Sequence, residues 1–202
     1  MAGFLARVRK DPRADTAFRL AAMWAGDQKT VHDVRALGHA INIANTLGRY
    51  TPDVPPQAVA ACLLHAIPRW PMPTEAAHQL VEDQCGPEAR WLLEALRAEH
   101  TVLEERSEHA VEGHLRLLRT MPWLAHATLT FKIITLQYAP SPPGRIGTTE
   151  AAGPACGTRD HELPYLRQVH TLTTGLVPRI MSDDFGRLLE QCRPVTATAA
   201  SR

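Results

Sequence analysis

Apolar side chains recur every three or four positions along most of the chain, which is the spacing of one face of an α-helix. Between residues 32 and 47 this spacing is kept by Val34, Leu37, Ile41 and Ala44. Stretches of β-branched residues with alternating polarity, which are typical of strands, are almost absent. The pattern therefore predicts an all-α, multi-helix protein.

Proline and glycine place the ends of the predicted helices, because proline is tolerated in a first turn and glycine favours the C-terminal end. Gly48 is predicted to end the second helix. The third helix, residues 56–67, is apolar nearly all round and is predicted to be the central buried one. The full set of predicted helices is 15–27, 32–47, 56–67, 74–85, 86–100, 114–120, 122–139, 161–177 and 183–192.

Length and composition indicate one globular domain. A chain of 202 residues, of which 45% are hydrophobic and 21% charged, can form a single hydrophobic core without disulfides or structural metals. We expect an N-terminal extension over residues 1–12, a helical domain over 13–192 and a tail over 193–202. Residues 139–160 are rich in Pro, Gly, Ser and Thr and predict a long loop that could act as a lid.

Charge and cysteine spacing narrow the classes of partner. The 22 basic and 21 acidic residues give a net charge of +1, which argues against nucleic-acid binding. No apolar run reaches the roughly 18 residues of a membrane span, and no secretory signal pattern is present, so we expect no membrane partner. The cysteines are widely spaced, which predicts reduced thiols and a cytoplasmic location. They are Cys62, Cys85, Cys156 and Cys192.

His65 stands out among the ten histidines because it lies at the end of the most apolar helix, A-C-L-L-H-A-I. Burying an imidazole is costly unless it has a hydrogen-bond partner. His65 is therefore either a core histidine bonded to a backbone carbonyl or a functional group. By contrast, the charged stretch around Glu99 predicts a solvated face for His100, His109 and His114.

Several short motifs follow one another in a consistent order between residues 13 and 180. They are W-A-G-D-Q-K (24–29), His32 at the start of a helix, A-A-C-L-L-H (60–65), C-G-P-E-A-R-W-L-L-E-A-L (85–96), F-K-I-I-T-L (131–136) and H-E-L-P-Y-L-R-Q-V-H-T-L-T-T-G-L (161–176). Their order and spacing resemble the HD superfamily, and more narrowly the hydrolase domain of RelA/SpoT-type guanosine polyphosphate pyrophosphohydrolases. The resemblance implies a single-domain, HD-like helical bundle with one phosphohydrolase pocket.

The metal ligands that the resemblance implies are not all present. His32 and His65 match the two histidines of the family, but Ala66 replaces the aspartate that follows the second one. The later aspartate of the family falls on Thr135 when Lys132 is aligned with its lysine. Manganese and magnesium prefer carboxylate oxygens, and catalytic zinc needs more protein ligands than two imidazoles provide. We therefore expect no bound metal and no cofactor.

The same pocket is expected to be more positive than in the family. A Glu-Asp pair of the guanosine tetraphosphate hydrolases falls on Arg69 and Trp70. A positive cleft without metal suits a phosphate or carboxylate, so the predicted partner is an anionic small molecule. The candidate ligand-binding residues are Lys29, Arg35, His39, Arg69, Lys132 and Thr135.

Two alternatives to simple binding stay open. One is a metal-independent enzyme of a specialised biosynthetic pathway, with His32 and His65 as the catalytic proton-transfer pair. The other is a residual nucleotide phosphohydrolase with a nonstandard metal site, for which His39 could join those two histidines. A homodimer is also open, since apolar residues near Trp91 or Trp123 could form its interface.

Overall fold

The computed structural model describes residues 3–30, 33–105, 107–138 and 162–192, and over these ranges it is an all-α bundle without strands. The helices are α1 (Phe4–Val8), α2 (Pro12–Ala25), α3 (Ala36–Tyr50), α4 (Pro56–His65), α5 (Thr74–Cys85), α6 (Pro87–Glu105), α7 (Glu108–Thr120), α8 (Pro122–Tyr138), α9 (Leu163–Thr173) and α10 (Arg179–Gln191). The predicted fold class is confirmed. The predicted loop 139–160 and tail 193–202 lie outside the described residues. Within those residues, no helix combines the length and apolarity that crossing a bilayer requires.

Helix α4 is the central helix, as its composition predicts. It packs against α2, α3, α6 and α8. Every side chain from Ala58 to Leu64 is buried. Pro56 occupies the first turn, and the helix ends at His65, one residue before the cap Ala66. Because neighbouring helices surround α4, an apolar surface on all sides is the stable solution.

The boundaries of α3 differ from the prediction at both ends. The helix begins at Ala36 rather than at residue 32, and it runs through Gly48 to Tyr50. A Cβ atom at Gly48 would collide with the ring of Phe4 in α1. Gly48 is therefore not a helix stop: it is the residue that lets α1 approach α3 closely.

The polar stretch after residue 100 is helical, which the apolar pattern did not predict. Helix α6 continues to Glu105, and α7 begins after Ser107, whose hydroxyl accepts a hydrogen bond of 3.1 Å from the N–H of Ala110. His100 and His109 are exposed, as expected. Two other residues of this stretch contradict the expectation of a solvated face, because Glu99 is only 4% exposed and His114 only 2%.

The cysteines differ from the expectation of four reduced thiols. Cys62 and Cys85 are free and buried. Burial raises the pKa of Cys62 to about 12 and that of Cys85 to about 11, so both thiols are poor nucleophiles. Cys192, however, is disulfide-bonded. The expectation therefore fails at Cys192.

Candidate functional site

Four helices come together at His65, the last residue of α4. Its ring contacts Phe131 of α8 and His100 of α6, at centroid distances of 4.6 Å and 5.2 Å, in both cases edge to face. His39 of α3 and Lys132 of α8 also act on its charge. Helix α4 packs against α3, α6 and α8, and α8 also packs against α3 and α6. The structure thus places three of the predicted residues, His39, His65 and Lys132, near one another.

The charge environment of His65 disfavours its protonated form. Burial is the largest cause of its lowered pKa, followed by repulsion from four basic groups: His100, Arg97, Lys132 and His39. Together these hold the pKa of His65 well below 6.5. Its Nδ1 atom is enclosed and has no hydrogen-bond partner in the structure. His65 is therefore neutral near pH 7. A core histidine bonded to a backbone carbonyl was the structural alternative, but among the described residues Nδ1 makes no such bond.

Arg97 is a basic residue of this site that the sequence analysis missed. Its guanidinium lies over the ring of Trp70, 4.0 Å from the centroid, and Trp70 in turn packs against Trp24 and His78. Among the described residues, no carboxylate lies within ion-pair distance of Arg97. Partial burial lowers its pKa, because the charged form loses hydration. Within the described ranges the arrangement leaves a half-buried cation without a counterion.

Lys132, in contrast, is bound to a carboxylate. Its Nζ atom lies 2.8 Å from Oε2 of Glu99, and the hydroxyl of Tyr165 donates a 2.6 Å hydrogen bond to Oε1. Burial is the largest single influence on the pKa of Glu99 and raises it, but Lys132, His114 and the hydrogen bond from Tyr165 together hold the pKa below its ordinary value. Burial and Glu99 raise the pKa of Tyr165. We refer to Glu99, Lys132, Tyr165 and His114 as the Glu99 network.

His114 is the least satisfied member of the Glu99 network. Its ring lies 6.3 Å from that of Tyr165, measured between centroids. Both ring nitrogens are buried without a hydrogen-bond partner in the structure. Burial is the main reason for its lowered pKa, which Glu99 raises and Lys132 lowers further. His114 is therefore a neutral imidazole held close to a buried ion pair.

The loop between α2 and α3 is joined to the end of α4 through Gln28, a residue of the W-A-G-D-Q-K motif. The Gln28 side chain accepts a 3.0 Å hydrogen bond from the N–H of Arg69 and donates 2.9 Å and 2.6 Å bonds to the carbonyls of Arg69 and Trp24. Only the backbone of Arg69 takes part in these bonds, and the residue is exposed. Gln28 therefore positions the backbone after His65, which the sequence analysis did not anticipate.

Lys29 and Arg35 lie at the two ends of this loop and pair through an isolated β-bridge. The Nζ atom of Lys29 lies 2.7 Å from a carboxylate oxygen of Asp33, so this lysine already has a counterion. Asp33 has a φ of 58°, a left-handed conformation that short polar residues tolerate. Arg35 is exposed. His32, predicted to be catalytic, lies outside the described residues.

The residues around His65 do not fit a divalent metal ion. The next residue is Ala66, and Thr135 is exposed on α8, one turn beyond Phe131. The carboxylate of Glu99 is held by Lys132, and the groups that act on His65 are basic and would repel a cation. In the described part of the chain, no cluster of three or more His, Cys, Asp or Glu side chains could hold a metal.

Comparisons with known proteins do not give the chain a family. No protein-family model matches it, and no curated protein matches it. Function must therefore be inferred from the contacts within the chain, above all from the different surroundings of Arg97 and Lys132.

Proposed function

We propose that the protein binds an anionic small molecule, phosphorylated or carboxylated, at the basic side chains beside His65. The observation that carries the proposal is Arg97, a half-buried guanidinium without a carboxylate partner among the described residues. A guanidinium presents a planar set of N–H donors that matches a carboxylate or phosphate. A bound anion would supply the missing counterion.

We also infer that the bundle is HD-like and that its metal-binding carboxylates have been lost. His65 of α4 and Lys132 of α8 lie in the motifs that carry the resemblance, and Lys132 and His39 of α3 both act electrostatically on His65. Ala66 and Thr135 stand where the family has aspartates. This arrangement supports a former hydrolase pocket in which basic groups have replaced the metal.

In this site the residues have different roles. Arg97 contacts the anion directly, and the exposed ring of His100 lies beside it on α6. His65 contacts the ring of His100 and is neutral in the absence of a ligand, because burial and basic neighbours lower its pKa. An anion would stabilise the protonated form of His65. Binding should therefore take up a proton and weaken as pH rises.

Calorimetry with inorganic pyrophosphate, and with citrate as a carboxylate probe, tests the proposal. We expect saturable binding at one site per chain that is at least tenfold weaker in Arg97→Gln and weaker at pH 8 than at pH 6. Arg116→Gln is the matched control, because Arg116 is an exposed arginine on α7 outside the site. No saturable binding, or equal losses in both variants, would contradict the proposal.

The enzymatic alternative has one observation in its favour. His65 is a neutral imidazole, which is the protonation state that a general base needs. In that case His65→Gln should abolish turnover of a phosphorylated or carboxylated substrate while pyrophosphate binding persists. Arg97→Gln should abolish both. The cytoplasmic location and the homodimer stay predictions.

A further inference from the structure

A concave site lies at the end of the central helices opposite to His65. A cavity of about 360 Å³ opens where α4, α6 and α8 begin. His65 of α4 and Phe131 of α8 each lie nine residues after the proline that starts their helix. At about 1.5 Å per residue, the cavity is about 14 Å from the His65 site along the helices. It is therefore separate from the proposed anion site.

Aromatic and aliphatic side chains form the surface of this cavity. Ala58 and Leu92 are buried and lie among its lining residues, together with Met121 and two tryptophans, Trp91 and Trp123. Trp91 is 59% exposed, although burying an indole is strongly favourable. An apolar ligand that covered Trp91 would remove this surface from water.

The polar side chains in the lining are few: those of Gln57 and Glu88. Each of the three helices starts with a proline, which has no backbone N–H to offer a ligand: Pro56, Pro87 and Pro122. The charged residue in the lining is Glu88, and its carboxylate lies close to Gly86 at the start of its own helix. A carboxylate there is stabilised by the positive end of the helix dipole. Among the described residues no basic side chain lines the cavity, and its one carboxylate lies at a helix N-terminus, whose dipole reduces the attraction of that carboxylate for a cation.

We propose that this cavity binds an uncharged, flat aromatic molecule of one or two fused rings. Its volume is at the small end of the range of ligand pockets, roughly 300–1,000 Å³. Two indole side chains, Trp91 and Trp123, are in the lining, and contact between aromatic rings gains energy beyond the area that it buries. The proposal does not depend on the anion site.

Fluorescence titration of the full chain with 2-naphthol tests this proposal. We expect saturable binding at one site per chain that is at least tenfold weaker in Trp91→Ala. Because Trp91 is largely exposed, this substitution leaves the core intact. Met23→Ala is the matched control: Met23 is 66% exposed on α2 and does not line the cavity, so its removal should change affinity less than twofold.

Three further measurements distinguish an uncharged aromatic ligand from a charged one and from a second copy of the chain. The charged analogues 2-naphthoate and 2-naphthylmethylammonium should each bind at least fivefold more weakly than 2-naphthol, and Arg97→Gln should leave 2-naphthol binding unchanged. Tighter binding of either ion, or equal effects of Trp91→Ala and Met23→Ala, would overturn the proposal. It would also be overturned by a dimer in sedimentation equilibrium that Trp91→Ala dissociates, since a second copy would then cover the cavity.

Discussion

Helices α6 and α8 carry two groups of charged side chains that lie side by side but differ in electrostatic balance. In the Glu99 network, a buried carboxylate is bound by Lys132 and Tyr165 at 2.8 Å and 2.6 Å. Around His65, the dominant neighbours are all basic, and Arg97 has no carboxylate within ion-pair distance in the described ranges. A charged side chain that is paired within the chain, such as Lys132, needs no ligand as its counterion. A charged side chain without such a pair, such as Arg97, suggests that a bound ligand supplies the counterion.

The geometry of a single helix separates these two groups. Glu99 continues the buried stripe of Leu92 and Leu96 on α6, at the three- and four-residue spacing of one helix face. Arg97 and His100 are three residues apart and so share another face, which reaches the surface. Glu99 and Arg97 are two positions apart on α6, and they therefore belong to the protein core and to the candidate site, respectively.

The largest effect is expected from breaking the Glu99 network. Glu99→Leu leaves the ammonium of Lys132 buried without its carboxylate and removes the hydrogen-bond acceptor of Tyr165. Losing one partner of a buried ion pair typically costs about 3–5 kcal/mol of unfolding free energy. Urea denaturation at pH 7 measures the change.

A double variant is the control for this prediction. In Glu99→Leu/Lys132→Met both charges are absent, so the chain should regain much of the stability that the single variant loses. If Glu99→Leu lost less than about 1 kcal/mol, or if the double variant were as unstable as the sum of the two single ones, the ion pair would not be the structural element that we describe.

A smaller effect is expected from the pH dependence that His114 imposes. Its folded-state pKa lies below 6.5, so the unfolded chain takes up a proton as pH falls through that value while the folded chain does not. Stability is therefore complete above pH 6.5 and decreases on acidification, since a tenfold difference in proton affinity corresponds to about 1.4 kcal/mol.

His114→Leu removes this proton and two unpartnered nitrogens, so it should reduce the loss of stability between pH 7.5 and pH 5.5 by on the order of 1 kcal/mol. Urea denaturation at several pH values measures the slope. His109→Leu, an exposed position on the same helix, is the matched control and should keep the slope of the natural chain. Identical slopes in both variants would show that burial of His114 does not set the acid sensitivity.

Much of the fold could be predicted because helix periodicity is a local property. The composition of residues 56–67 was sufficient to place α4 at the centre. Gly48 misled the prediction, because its role is set by Phe4, which lies far away in sequence. The predicted helix 114–120 covers only the later part of α7 for a similar reason. Polar residues within a helix resemble a loop when their packing partners are unknown.

Less of the candidate site could be predicted, because its residues meet only through packing. His65 was identified from a local signal, an imidazole at the end of an apolar helix. Arg97 and Tyr165 gave no such signal, since their partners come from other helices. Glu99 did carry one, because it continues the apolar stripe of α6, and a carboxylate in such a stripe requires a buried counterion.

The smallest effect on stability, and the sharpest test of the comparison, is expected from Arg97→Met. The methionine keeps an apolar stem against Trp70 and removes a cation that has no counterion among the described residues, so the unfolding free energy should change by less than about 1 kcal/mol. In the same variant the pKa of His65 should rise, because one of its basic neighbours is gone. The rise should be partial, since burial is the larger cause of the lowered pKa. Nitrogen-15 NMR titration of the imidazole measures it, with Arg116→Met as the control. A loss of stability as large as that of Glu99→Leu would mean that Arg97 is a structural cation like Lys132, and the distinction between the two groups would fail.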